Sequence, residues 1–147
     1  MAALETPMGL ALVVCDTIIE DKQTGKKTLI GLFDRLYARS FPCVHPSMAV
    51  FVCLTSGRGK YPCEVVCRHD DGQRTAFSAR GTIVMREPSQ VVDLVFRLNG
   101  VRFPEAGKYS LQFLADEIPI MMRPLVIQPR PQKGSGPATP PADPQES

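Results

Sequence analysis

The chain has 147 residues, 17 Lys and Arg against 15 Asp and Glu for a formal charge of +2, 7% aromatic residues and no Trp. That length supports one hydrophobic core, and so slight a positive balance without stacking platforms argues against nucleic acid as a partner. No run approaches the roughly 20 apolar residues of a membrane helix, and the N-terminus lacks a basic flank followed by a long apolar stretch, so a cytoplasmic protein with no membrane partner is expected.

Residues Met1 to Pro7 carry no pattern and read as a loose lead-in. Gly9 to Cys15 is apolar at nearly every position, which suits either a strand covered on both faces or a short buried helix built on Leu4, Met8, Ala11 and Leu12. The β-branched Thr17-Ile18-Ile19, a polar turn over Asp21 to Lys26 and the apolar Thr28 to Phe33 make strand, loop, strand the simpler account. Asp34 to Ser40 leads to Phe41-Pro42 and Val44-His45-Pro46 and reads as a crossing segment, because each proline removes a donor and pushes the preceding residue extended.

Ser47 to Leu54 is almost wholly apolar, as a central strand requires, and Ser56-Gly57-Arg58-Gly59 closes it. Tyr61 to Arg68 returns, and His69-Asp70-Asp71-Gly72-Gln73 is a hairpin signal because Asp-Gly supplies positive φ. Phe77, Ala79, Gly81, Ile83 and Met85 then share one face, a turn follows at Glu87-Pro88-Ser89, and Val92, Leu94, Phe96 and Leu98 stand against Asp93 and Arg97. In the next strand Tyr109, Leu111 and Phe113 point one way and Lys108, Ser110 and Gln112 the other, with Leu111 in the core.

Asp116-Glu117 turns the chain into Ile118 to Arg123, where Pro119 forbids a central ladder position, and a bulge at Pro124 lets Leu125-Val126-Ile127 resume with opposite parity. Pro62 and Pro119 suggest that at least one sheet edge is guarded, whereas Met48 to Leu54 is hazardous unless paired. The domain spans residues 8–128. Residues 129–147 hold prolines at 129, 131, 137, 140, 141 and 144 without an apolar period, and should form a disordered tail with two P-x-x-P spacings.

Chemistry finds little purchase. Gly59-Lys60 lacks the other residues of a phosphate loop, with Leu54 and Tyr61 where Gly and Ser or Thr belong. Cys63, Cys67 and His69 share a strand parity, but four residues of strand separate the two sulfurs by about 13 Å, too far for one zinc ion. Cys43 and His45 complete no ligand set, and His69 beside Asp70 and Asp71 is no triad because adjacent side chains diverge. The five cysteines (15, 43, 53, 63 and 67) read as buried free thiols in a reducing compartment. No catalytic, metal or cofactor-binding residue is assigned, and no cofactor is expected.

The fold expected is all-β: an antiparallel, immunoglobulin-like β-sandwich of roughly seven to nine strands. Phe103-Pro104-x-x-Gly107-x-Tyr109 resembles the corner of such sandwiches, where Tyr109 would hydrogen-bond the turn it has just left. Together with Val14-Cys15-Asp16, Gly25-Lys26, Leu29-Ile30-Gly31-Leu32-Phe33-Asp34, Phe41-Pro42 and Asp71-Gly72, it resembles a bacterial family of small proteins classed as a domain of unknown function, over Leu10 to Ile127. The resemblance implies a compact cytosolic β-sandwich and brings no activity, cofactor or catalytic residue. The expectation is therefore a non-catalytic interaction or scaffold module with a protein partner or self-association, added at an unguarded strand edge. A small-molecule or carbohydrate-binding module using Ser56 to Lys60 and Glu87 to Ser89 is the rival, and an enzyme with an unrecognised site comes third.

Overall fold

The structure, a computed structural model, describes residues 5–72 and 74–131; the expected tail beyond Pro131 lies outside the described residues, as does Gln73. Nine strands form two sheets, with no helix among the described residues: β1 (Met8–Glu20), β2 (Lys27–Leu32), β3 (Arg35–Ala38), β4 (Cys43–Thr55), β5 (Gly59–His69), β6 (Thr75–Met85), β7 (Val91–Phe103), β8 (Gly107–Ala115) and β9 (Ile118–Pro129). One sheet has the order β2-β1-β4-β7, the other β3-β9-β8-β5-β6. The apolar parity of each strand points between them: Leu12, Val14, Val50, Val52 and Phe96 from the first sheet meet Val65, Cys67, Leu111, Phe113 and Leu125 from the second. The first apolar segment is thus strand, and β4 is central as its composition demands.

Two buried tyrosines tie loops to this core. Tyr109 Oη donates to the Glu105 carbonyl at 2.6 Å, and its ring meets Phe103 and His69 edge-on at 5.4 and 4.9 Å. The expected corner is there. Tyr61, which the sequence did not single out, accepts the Arg58 N–H at 2.8 Å and reaches the Glu5 carbonyl, tying the lead-in to the β4–β5 loop.

Four expectations are corrected. Asp34 to Ser40 is more than a crossing, since β3 pairs in parallel with residues 126–129 of β9, so the sheets are not antiparallel throughout. Pro46 lies inside β4 rather than before it, at a point beyond the last β1 partner, Ala49. Pro62 is in β5, an interior strand; its carbonyl accepts from Asp116 N–H just past the end of β8, so the missing donor faces a place where no ladder continues. The bulge in β9 falls at Ile120, where the partners of Phe113 and Leu114 are Met121 and Pro119, and Pro124 stays in register with Ser110. Pro119 does lie on an open half of β9, which β3 covers only from residue 126 onward.

Beyond Cys15, β1 leaves β4, and the β1–β2 hairpin curls over the outer face of its own sheet. Ile18 and Leu29 pack there on Ala49, Phe51 and Val95 as a second small core. Lys27 consequently reaches across to Asp93 on β7 at 2.9 Å, a span that a flat sheet with β1 and β4 intervening would not permit.

Candidate interaction edge and cleft

The residues that looked most like chemistry have structural work. Cys63 and Cys67 are buried in the main core, where loss of solvation pushes their thiols up to about 11 and about 12. His69 Nδ1 accepts the Asp71 N–H at 3.2 Å, which leaves Nε2 to donate to the Ala106 carbonyl at 3.2 Å: the ring clasps the hairpin to the β7–β8 corner. His45 stacks edge-on against Phe33 at 5.6 Å, with Nε2 3.4 Å from Asp16. Among the described residues no group of three or more His, Cys, Asp or Glu could hold a metal ion. Gly59 pairs with Met85 inside the β5–β6 ladder. The two loops considered for a small ligand do meet, but through their own bonds: Ser56 N–H donates to the Pro88 carbonyl at 2.9 Å.

What remains open is β2. It has β1 on one side and no strand on the other among the described residues, and it contains no proline. Its backbone can be oriented from two bonds. Asp21 N–H donates to the Lys26 carbonyl, and Phe33 N–H to the Val14 carbonyl, which makes Glu20–Lys27 and Cys15–Leu32 non-hydrogen-bonded pairs. The N–H and C=O of Lys27, of Leu32 and, by alternation, of Leu29 therefore face away from β1. The phase reverses at Gly31, whose φ of +77° is open to glycine and whose Cα lies so close to the Asp16 carboxylate that a Cβ would sit 2.6 Å from Oδ2.

The side chains of the hairpin divide likewise. Ile18 and Leu29 seal inward, whereas Ile19, Ile30 and Leu32 remain 53%, 43% and 63% exposed. Ile30 is opposite Thr17 and so lies diagonally beside Ile19 on one face. Lys27, a residue type that blunts edges, is drawn away to Asp93 and Glu20, and the Asp93 hydrogen bond raises its pKa.

Beside this edge lies a shallow cleft of about 410 Å³, lined by Val13, Val14, Leu32, Phe33, Asp34 and Arg123. It opens because β3 starts only at Arg35 and leaves the N-terminal half of β9 uncovered. Arg123 is paired with Leu111 of β8, a core residue, and therefore projects inward on the same parity as Met121 and Leu125. Its Nη1 donates to the Leu12 carbonyl at 2.8 Å, bridging the two sheets, while Nε is buried without a hydrogen-bond partner. Sequence reasoning missed this residue; the signal was a charged side chain in the inward register, hidden once the bulge was placed at Pro124.

No helix among the described residues is long and apolar enough to cross a membrane. A family model described as a family of unknown function, DUF6941, matches residues 10–128, the span over which the motif order resembles such a family. No curated protein matches the chain.

Proposed function

We propose that this chain, which belongs to the family of unknown function DUF6941, is a non-catalytic protein-interaction module that accepts a partner strand at the outer edge of β2. The observation that carries the reading is the pairing, on one unshielded edge, of backbone groups facing away from β1 with the exposed Ile30 and Leu32. Main-chain bonds supply affinity in strand addition and alternate side chains supply selectivity. The other edges suit it less: β3 has four residues, open β9 carries Pro119, and the edge strands β6 and β7 lie against each other, where Gly81 packs toward Leu94.

An immunoglobulin-like sandwich is the finer fold reading. It is supported by a tyrosine corner at the start of the strand after a sheet-to-sheet crossing, and by a short strand running parallel to the last one. A cytoplasmic location is supported by five cysteines that are all free.

The test compares wild type with Ile30→Lys by light scattering, crosslinking and retention of proteins from a lysate. The expected outcome is self-association or a retained partner in the wild type that Ile30→Lys abolishes while leaving the melting temperature unchanged. A monomeric wild type with nothing retained, or retention indifferent to the substitution, refutes the reading.

A further inference from the structure

The geometry points to Arg123 as the receptor for a carboxylate: we propose that the cleft between the β1–β2 segment and β9 binds a monocarboxylate joined to an apolar body. This does not depend on strand addition at β2. A guanidinium carries five N–H donors and a permanent charge. Here one nitrogen donates to the Leu12 carbonyl, Nε is buried and orphaned, and no carboxylate among the described residues lies within ion-pair distance. An N–H buried without a partner is costly, and the terminal nitrogens of this half-buried guanidinium face a cleft with no carboxylate in contact with them, whereas buried polar groups in folded proteins are normally satisfied.

The surroundings define the rest of the ligand. Val13, Val14, Leu32 and Phe33 give the cleft apolar walls, so the carboxylate meets the terminal nitrogens of Arg123 while its hydrocarbon part lies against Leu32 and Phe33. Leu32, 63% exposed, is the side chain such a body would cover. Asp34 stands in the same lining, and its negative charge disfavours a dianion. One charge and one greasy end are therefore selected over phosphate. Anchorage of Nη1 to β1 holds the guanidinium in place before the ligand arrives, which reduces the ordering cost of binding.

The experiment is an amide-resolved NMR titration of the full chain with sodium hexanoate, against hexanamide and inorganic phosphate at matched ionic strength. Hexanoate should give saturable shifts at Val13, Val14, Leu32 and Phe33, and bind at least about tenfold more tightly than hexanamide or phosphate, as a charge-assisted bond requires. Acetyl-Val-Glu-Val-amide identifies the source: tighter binding than hexanoate marks a carboxylate borne by a protein strand, weaker binding a free small acid, and either outcome supports the site. Arg123→Met should abolish the preference for hexanoate over hexanamide. If that variant fails to fold, the wild-type comparison decides alone. Equal shifts from hexanoate and hexanamide, shifts located elsewhere, or no saturation with hexanoate or the peptide overturns the proposal.

Discussion

Replacing Tyr109 with Phe and, separately, with Ala divides the contribution of its hydroxyl from that of its ring. The hydroxyl donates to the Glu105 carbonyl at 2.6 Å and stands 3.4 Å from the Glu105 N–H, so Tyr109→Phe leaves a half-buried turn without its tie. A hydrogen bond of this kind contributes about 1–2 kcal/mol when the stranded partner keeps some access to water. Tyr109→Ala also removes a fully buried ring that meets Phe103 and His69 edge-on, and deletions of that size cost about 3–5 kcal/mol. At about 3 °C per kcal/mol for a domain of this length, the melting temperature falls by about 3–6 °C for Phe and about 9–15 °C for Ala. Urea unfolding followed by far-ultraviolet circular dichroism measures both, since the chain has no Trp. Equal losses for the two variants, or a loss under about 1 kcal/mol for Ala, would refute the view that the ring fills the core while the hydroxyl holds the corner.

Asp116 and Glu117 form a two-residue hairpin turn with φ of 52° and 67°, a conformation that favours glycine, so Glu117→Gly should raise stability by about 1 kcal/mol in the same urea assay. Gly107 has φ of +139°, and a Cβ there would sit 2.6 Å from His69 Nε2; Gly107→Ala should cost about 2–3 kcal/mol, and less in a His69→Ala background, which a double-mutant cycle measures. The folded state keeps the Cys67 proton to about pH 12, whereas the thiol of the unfolded chain loses it near the ordinary 9.0. Its contribution is full below pH 9 and declines as pH rises from there toward 12, so Cys67→Ala should lose less stability than wild type between pH 8 and pH 11. Parallel declines in urea titrations would contradict the assignment.

Alternation made most of the architecture legible. The inward parity of Tyr109, Leu111 and Phe113, and of Val92, Leu94, Phe96 and Leu98, follows from local alternation, while Val95 on the opposite face of β7 is apolar because it packs in the second small core. The four residues of β3 were too few to show a period, and their parallel partner lies about ninety positions away. Pro62 misled because a proline reports only that one donor is missing; here that donor faces the end of β8 rather than open solvent. The cleft was invisible for a different reason. It depends on where β3 starts beside β9 and on a bulge at Ile120 rather than at Pro124, and both are properties of tertiary register. The motif residues Cys15, Asp16, Gly31 and Phe33 gather around the β1–β2 pairing, and Phe103, Gly107 and Tyr109 around the corner, so the order that carries the resemblance is largely an order of joints.

The folded-back β1–β2 hairpin gives the molecule two cooperative units of unequal strength. Its inner residues, Ile18 and Leu29, rest on Ala49, Phe51 and Val95 outside the main core, and Lys27 fastens it to Asp93. Detaching it beyond Cys15 exposes that small cluster but leaves the first part of β1 paired with β4, β4 with β7, and the second sheet whole, so the clasp opens at a fraction of the free energy of global denaturation. Hydrogen–deuterium exchange will resolve this as early loss of protection across Thr17 to Leu32, with Val50 to Leu54 still closed.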